Sequence, residues 1–364
     1  MGLITHMTGR VMMLSTNLAR GGAETQVVHL AHGLRQRGWD VSVISMLPPS
    51  AFEEELAACC VPVYSLGMRP GVPSPLGFAR LVALLGKLRP QVLHCHMFHA
   101  NLLGRAARLV CPVPALISTI HSAAESSRSS GSTRLRDRLY RLTSPLADVT
   151  TRVCRTPGRK LVVIPNGVDT TRFRSNPIAR ERVRHKLGVD DEFVWLAVGR
   201  LMWKKDYATM LRAFAAQHGG VLLIAGEGPQ EAELRTLANT NVRFLGLRKD
   251  VPELMSACDG YLLSSVIEGL PLTLLEAASS GVPAVATAVG GVADIVLDGR
   301  TGFVVPPGDV EAFGSAMSRI ARMSTEERAR MGQAARNHAV ANFDIQAVVE
   351  RWERLYTQLL TLLD

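Results

Sequence analysis

The stretch from Cys258 to Thr287, CDGYLLSSVIEGLPLTLLEAASSGVPAVAT, constrains the fold more than any other. Tyr261–Ser265 is an apolar run ending in small polar residues, the pattern of a short buried strand. Val266–Leu270 reads as a loop. Pro271 suits the start of a helix, where its missing N–H costs nothing. The helix predicted over Leu272–Ser280 is stopped by Gly281 and Pro283, and Ala284–Thr287 is the next strand. This is a strand–loop–helix–strand unit of a parallel sheet. Its loop lies at the carboxyl end of a strand, where open α/β sheets bind ligands.

Two glutamates mark this unit. Glu268 is in the loop, and Glu276 follows on a helix that is apolar around it at Leu272, Leu274, Leu275, Ala277 and Ala278. A carboxylate on such a helix is rarely buried without a partner. The N–H groups of Leu272 and Thr273 leave the helix start and favour an anion. An acid that could hold hydroxyls, an anion hole and a second acid form one candidate site. The bland alternative is a solvated loop Glu268 with Glu276 at a helix edge.

The rest of the chain repeats the strand–helix theme. Strands are expected at Arg10–Ser15, Trp39–Ser45, Val61–Leu66, Val92–His96, Leu116–His121, Asp148–Cys154 and Lys160–Pro165. A second set follows at Phe193–Gly199, Val221–Ala225, Val242–Leu245, Ala284–Thr287 and Gly302–Val305. Gly21-Gly22, after the first strand, opens a helix over Ala23–Arg37 whose start could take phosphate; a plain tight turn is the alternative. His94, His96 and His99 lie close in sequence, but no nearby carboxylate completes a metal set. His121 ends a strand at its carboxyl side, where a hydrogen-bonded loop histidine is the commoner outcome. Ser122–Arg141, rich in Ser and Arg, reads as a mobile loop leading into a basic helix. Asn166-Gly167-Val168-Asp169 is a turn at the domain boundary. Two βα-repeating halves imply two Rossmann-like domains facing a cleft. The first is residues 1–165 with the helix 345–364, the second residues 166–344.

Composition narrows the function. The 364 residues are enough for two α/β cores. No apolar run reaches the roughly 18 residues of a membrane span, and the start lacks a signal-peptide pattern. The six cysteines include no C-x-x-C pair, so reduced thiols and a cytoplasmic location are expected. The net charge of +9 is uneven: residues 1–170 hold 19 Lys and Arg against 9 Asp and Glu. That excess could face an anionic membrane surface or an acidic acceptor, or be ordinary solvated surface. With few aromatics interleaved, nucleic acid is not expected.

Several of these segments, in order, resemble the retaining glycosyltransferases of the GT-B fold, family 4. GGAE at Gly21–Glu24 resembles that family's first phosphate-side loop, and His121 matches the histidine lining its donor-sugar pocket. IPNGVD at Ile164–Asp169 matches the interdomain linker. GRL from Gly199, followed by Lys205, matches the Arg and Lys that bind the diphosphate, here Arg200 and Lys205. GEGP at Gly226–Pro229, FLG at Phe244–Gly246, and DGYLLSS through EGLPLTLLE match the nucleotide-binding region. The resemblance covers almost the whole chain.

It implies an α/β GT-B fold with the C-terminal helix crossing back to the first domain. The implied enzyme moves a sugar from a nucleoside-diphosphate donor to a glycan or lipid-linked acceptor in cell-surface polysaccharide or glycolipid synthesis. Catalysis would fall to Glu268, His121, Arg200 and Lys205. Donor binding would involve Gly21, Gly22, Arg200, Lys205, Gly246, Gly269, Leu270, Leu272, Thr273 and Glu276. No cofactor is expected, and without a D-x-D motif no metal is expected either. Peripheral association with the inner membrane face would run through the basic first domain. The chain departs from the family at Arg155–Lys160, where a helix of about a dozen residues is expected and none fits. A GT-B sugar-nucleotide epimerase, a hinged solute-binding protein and a catalytically silent partner subunit are the other readings.

Overall fold

The structure is a computed structural model that describes residues 9–72, 74–121, 138–155, 161–217 and 219–362. The predicted mobile loop at 122–137 and the connection at 156–160 lie outside the described residues. Contacts divide the chain into two compact units, Met1–Asn166 with Ile345–Asp364, and Gly167–Asp344.

The first unit holds β1 (Arg10–Ser15), β2 (Asp40–Ser45), β3 (Val63–Ser65), β4 (Val92–His96), β5 (Ala115–Ile120), β6 (Val149–Arg152) and β7 (Val162–Val163). All pair in parallel, in the order β3-β2-β1-β4-β5-β6-β7. Its helices are α1 (Gly22–Gln36), α2 (Glu53–Ala58), α3 (Pro75–Leu88) and α4 (Phe98–Arg108). Strands such as β4, buried at every residue, carry core on both faces. Order reverses between β1 and β4, which makes their carboxyl ends the switch point of this sheet.

The expected seventh strand at Lys160–Pro165 is corrected to the two residues of β7. Val162 is 46% and Val163 39% exposed, so this edge has little to pack on.

The second unit holds α5 (Pro177–Leu187), β8 (Val194–Val198), α6 (Tyr207–Ala215), β9 (Val221–Ala225), α7 (Glu231–Leu237), β10 (Val242–Gly246), α8 (Val251–Ala257), β11 (Gly260–Leu263), α9 (Leu272–Ser279), β12 (Ala284–Thr287), α10 (Val292–Ile295), β13 (Gly302–Val305), α11 (Val310–Ala321) and α12 (Thr325–Phe343). Its sheet is parallel with order β10-β9-β8-β11-β12-β13, and its switch point lies between β8 and β11. The chain enters at Gly167 and leaves at Asp344. Those ends meet: Val168 N–H donates to Phe343 O at 2.8 Å.

The last helix, α13 (Ile345–Thr361), belongs to the first unit. It buries Val348, Val349, Trp352 and Tyr356 in the core that includes α1 and β1. Gly33 of α1 is where the two helices touch, since a Cβ there would stand 2.5 Å from Val349 Cγ2. Glu353 accepts from Trp39 Nε1 at 2.9 Å and from Arg37 at 3.1 Å, fixing the helix lengthwise. These two parallel sheets, with the last helix returned to the first, make the GT-B architecture that the sequence implies.

Candidate active site

Three loops leave the carboxyl ends of β8, β9 and β10 and are sewn together by backbone. Gly199 N–H donates to Ala225 O at 3.0 Å, Leu201 N–H to Glu227 O at 2.9 Å, and Gly226 N–H to Gly246 O at 2.8 Å. Gly226 has φ +144, and a Cβ on it would stand 2.0 Å from Gly199 O. Only glycine admits this approach.

The loop after β11 is tied to the loop after β8. Ser264 Oγ donates to Lys205 O at 2.9 Å, and Val266 N–H to Lys204 O at 2.9 Å. This places Lys205 Nζ 2.6 Å from Glu268 Oε1, an ion pair on the switch point. Ser265 Oγ donates to the same oxygen at 2.6 Å, while Oε2 makes no hydrogen bond among the described residues. The side chains are 22% and 12% exposed, so both charges keep some contact with water. Behind them the Tyr207 hydroxyl donates to Gly199 O at 3.1 Å. Burial, and then the Glu268 charge, push its pKa up, so it stays a donor. Gly290, at φ +54, lets its backbone approach the Glu268–Gly269 loop; a Cβ would stand 2.4 Å from Glu268 O. Gly291 N–H donates to Gly269 O at 2.6 Å.

Glu276 stands apart from that pair. It is half-buried on α9, and its carboxyl makes no hydrogen bond or ion pair among the described residues. Burial pushes its carboxyl up to about 7, opposed only by the charge of Arg172. Arg172 was not expected in the site. It follows Asp169, whose Oδ1 accepts from Thr171 N–H at 3.0 Å and Arg172 N–H at 2.9 Å. The sequence showed that turn without showing what it faces.

The remaining residues of the second unit fall into place around these. Pro271 is the N-cap of α9, and no side chain caps the helix start at Leu272 and Thr273. Leu270 is buried, and Gly246, at φ +65, closes β10 against Gly226. Arg200 follows β8, is exposed, and forms no ion pair among the described residues.

In the first unit, His121 meets His96: Nε2 of His121 lies 3.0 Å from Nδ1 of His96. His94 stacks on His96 with ring centroids 3.9 Å apart. Its Nδ1 is 2.6 Å from the Tyr356 hydroxyl on α13, and its Nε2 is 2.7 Å from Thr119 Oγ1. Both ring nitrogens of His94 are therefore engaged. Burial pushes His121 down to about 4 and holds His94 and His96 well below the usual histidine range. All three are neutral rings at neutral pH. His96 Nε2 and His121 Nδ1 are buried without a hydrogen-bond partner among the described residues. The H-x-H spacing on β4 was the signal for this cluster, although in the sequence it was weighed only as a metal set and that set was incomplete.

Gly21 and Gly22 open α1, but the Glu24 carboxylate folds over them. A Cβ on Gly21 would stand 2.4 Å from Glu24 Oε2. The anion at that helix start is the chain's own, so a phosphate there would compete with Glu24.

Comparison with known proteins follows the same division of the chain. The family described as Glycosyltransferase Family 4 matches residues 20–172, and Glycosyl transferases group 1 matches residues 179–338. An Escherichia coli UDP-Gal:alpha-D-GlcNAc-diphosphoundecaprenol alpha-1,3-galactosyltransferase is 28% identical over 307 residues, 77% of this chain and 78% of the relative. A Bacillus anthracis N-acetyl-alpha-D-glucosaminyl L-malate synthase is 25% identical, over 93% of this chain and 94% of its own. Among solved structures, Anabaena HepE in complex with UDP-glucose superposes with a TM-score of 0.83 at 24% identity, covering 97% of this chain and 99% of its own.

Proposed function

Because the chain belongs to the family 4 glycosyltransferases and has their GT-B fold, we propose that it moves a sugar from a nucleoside-diphosphate donor with retention at the anomeric carbon. The acceptor is a glycan or lipid-linked glycan of cell-surface polysaccharide or glycolipid synthesis. The observation that carries this reading is the Lys205–Glu268 pair at the switch point of the second sheet, with the α9 start and Glu276 on the same strand–helix unit.

The bond that breaks joins the sugar's anomeric carbon to a phosphate oxygen. The leaving diphosphate gathers negative charge, which Lys205 and Arg200 offset as point charge and fork. The N–H groups opening α9 add to this. The acceptor oxygen bonds to the anomeric carbon from the face the phosphate leaves, and the acceptor proton passes to the departing phosphate oxygen. Glu268 holds sugar hydroxyls through its open Oε2 while positive charge develops on the ring. Glu276 accepts from the ribose hydroxyls, which draw it towards its ionised form. His121 is neutral, which suits hydrogen bonding to a hydroxyl rather than taking a proton. The protein's own cations supply the charge, so the transfer needs no metal.

No helix among the described residues is long and apolar enough to cross a membrane. The reading places the enzyme in the cytoplasm, resting on the inner membrane face through its basic first unit. A thermal-shift screen against UDP, GDP, ADP and their sugars identifies the donor. NMR of the first-formed product then reads the anomer, with and without EDTA. An inverted anomer removes the mechanism, loss of activity in EDTA removes metal independence, and no stabilisation by any nucleotide removes the donor reading.

A further inference from the structure

A cavity of about 570 Å³ lies in the first unit, lined by neither the histidine cluster of β4 and β5 nor the glycines at the start of α1. It falls within the ordinary size of ligand pockets, about 300–1,000 Å³. Its walls are Met46 and Met68 beyond β2 and β3, Leu102 and Leu103 of α4, and Val72 and Leu139. Methionine suits a wall that must adapt to a flexible apolar guest. Few hydrogen-bonding side chains face it: Thr16, Thr143, His99 and Arg69. A sugar placed there would lose water without replacement partners. A hydrocarbon chain would lose nothing.

The wall is held in place. Residues 138–143 form a helical turn that brings Leu139 and Thr143 to the cavity. Buried Arg105 fixes that turn, donating to Tyr140 O at 3.1 Å and Thr143 Oγ1 at 3.2 Å, under the Tyr140 ring. Asn101 donates to the Tyr140 hydroxyl at 2.9 Å, and Phe98 stacks on its ring. Yet the apolar side chains at the mouth face water, Val72 at 56% and Leu139 at 48% exposure. Arg69 is exposed on the lining, and Arg138 and Arg141 are exposed on the same turn as Leu139. Among the described residues no acidic side chain lines the cavity. An apolar pocket edged by cations fits an apolar chain with an anionic head.

We propose that this cavity receives the hydrocarbon chain of a lipid-linked acceptor whose head is a phosphate or diphosphate. The proposal rests on the transferase reading and names the acceptor's class. The chain is isoprenoid or acyl, and the probes distinguish the two.

The test is calorimetric titration of the full chain with farnesyl diphosphate and with lysophosphatidylinositol. Inorganic pyrophosphate is the head-only control, and the donor nucleotide is titrated in the same samples. Ala106→Trp fills the cavity from α4, and Val72→Asp puts a charge at its exposed mouth, where folding is not at stake. One or both lipids should bind more tightly than pyrophosphate and weaken at least tenfold in the variants, with nucleotide binding unchanged. Binding of farnesyl diphosphate alone assigns an isoprenoid chain, and of lysophosphatidylinositol alone an acyl chain. No lipid binding, undiminished binding in Val72→Asp, or equal binding of pyrophosphate overturns the proposal. If nucleotide still binds in that case, the donor reading stands and only the cavity's role falls.

Discussion

At the switch point of the second sheet, Lys205 and Glu268 meet as charges 2.6 Å apart and remain partly open to water. At the carboxyl ends of β4 and β5 in the first sheet, His94, His96 and His121 pack ring to ring and give up their charge. Both sheets are parallel; the second reverses order at the strands concerned, β8 and β11, whereas the first reverses beside them, between β1 and β4. Topology therefore sets where side chains gather, while burial and pairing set whether they stay charged. Glu276 is the intermediate case, a carboxyl with no ion-pair partner among the described residues, pushed up to about 7 beside its paired neighbour on one strand–helix unit.

The largest expected effect is on the charged end. Lys205→Ala should lower turnover by about 10²–10³ with saturating donor, since on the proposed function it removes a cation that offsets the leaving diphosphate. Arg200→Ala should also slow turnover, yet leave unfolding free energy within about 0.5 kcal/mol because Arg200 is exposed. Normal single-turnover rates in both variants would erase the contrast between the two sheets.

The next effect separates Glu276 from Glu268. A carboxyl whose folded pKa is raised stabilises the protein fully below its unfolded pKa near 4.5, and that contribution is lost as pH rises through about 7. Glu276→Gln should abolish this slope, gaining roughly 3 kcal/mol over wild type between pH 4.5 and 8. It should also weaken donor binding by about tenfold, as charge-assisted hydrogen bonds are lost. Urea unfolding across pH reads the first and calorimetry the second. A parallel pH dependence in wild type and variant would contradict the raised carboxyl.

The smallest effects belong to the neutral end, and their sign is opposite. For His121, depressed to about 4, stability is fully present above pH 6.5 and is lost as pH falls towards 4. His121→Asn should flatten that acid limb. Tyr356→Phe should cost about 1–2 kcal/mol, because it leaves a buried nitrogen of His94 unmatched. Chemical denaturation at pH 7.5 and 5 checks both.

The elements were largely legible. Arg10–Ser15, Val92–His96, Val221–Ala225 and Ala284–Thr287 stand as strands at the bounds their apolar runs suggested. Val348, Val349 and Trp352 of α13 stand at helical spacing in the sequence and are buried, while Tyr356 joins that face without having been singled out. What the sequence hid was pairing at long range. Lys205 and Glu268 are 63 positions apart, and His94 reaches Tyr356 across 262. Periodicity reports which face is buried and is silent on which polar atom meets which. Glu24 over Gly21 was missed for a different reason: a glycine pair at a helix start looks the same whether the anion is a ligand or a nearby carboxylate. β7 fell short because apolar residues alone do not extend a strand at a sheet edge where Val162 and Val163 stay exposed.

The most direct measurement is Glu268→Gln, with single-turnover transfer rates and donor affinity taken on one preparation. If Glu268 stabilises the sugar as positive charge develops, the rate falls at least a hundredfold while donor affinity stays within about threefold. A variant that transfers sugar at the wild-type rate, or that loses donor binding in step with rate, would contradict the account.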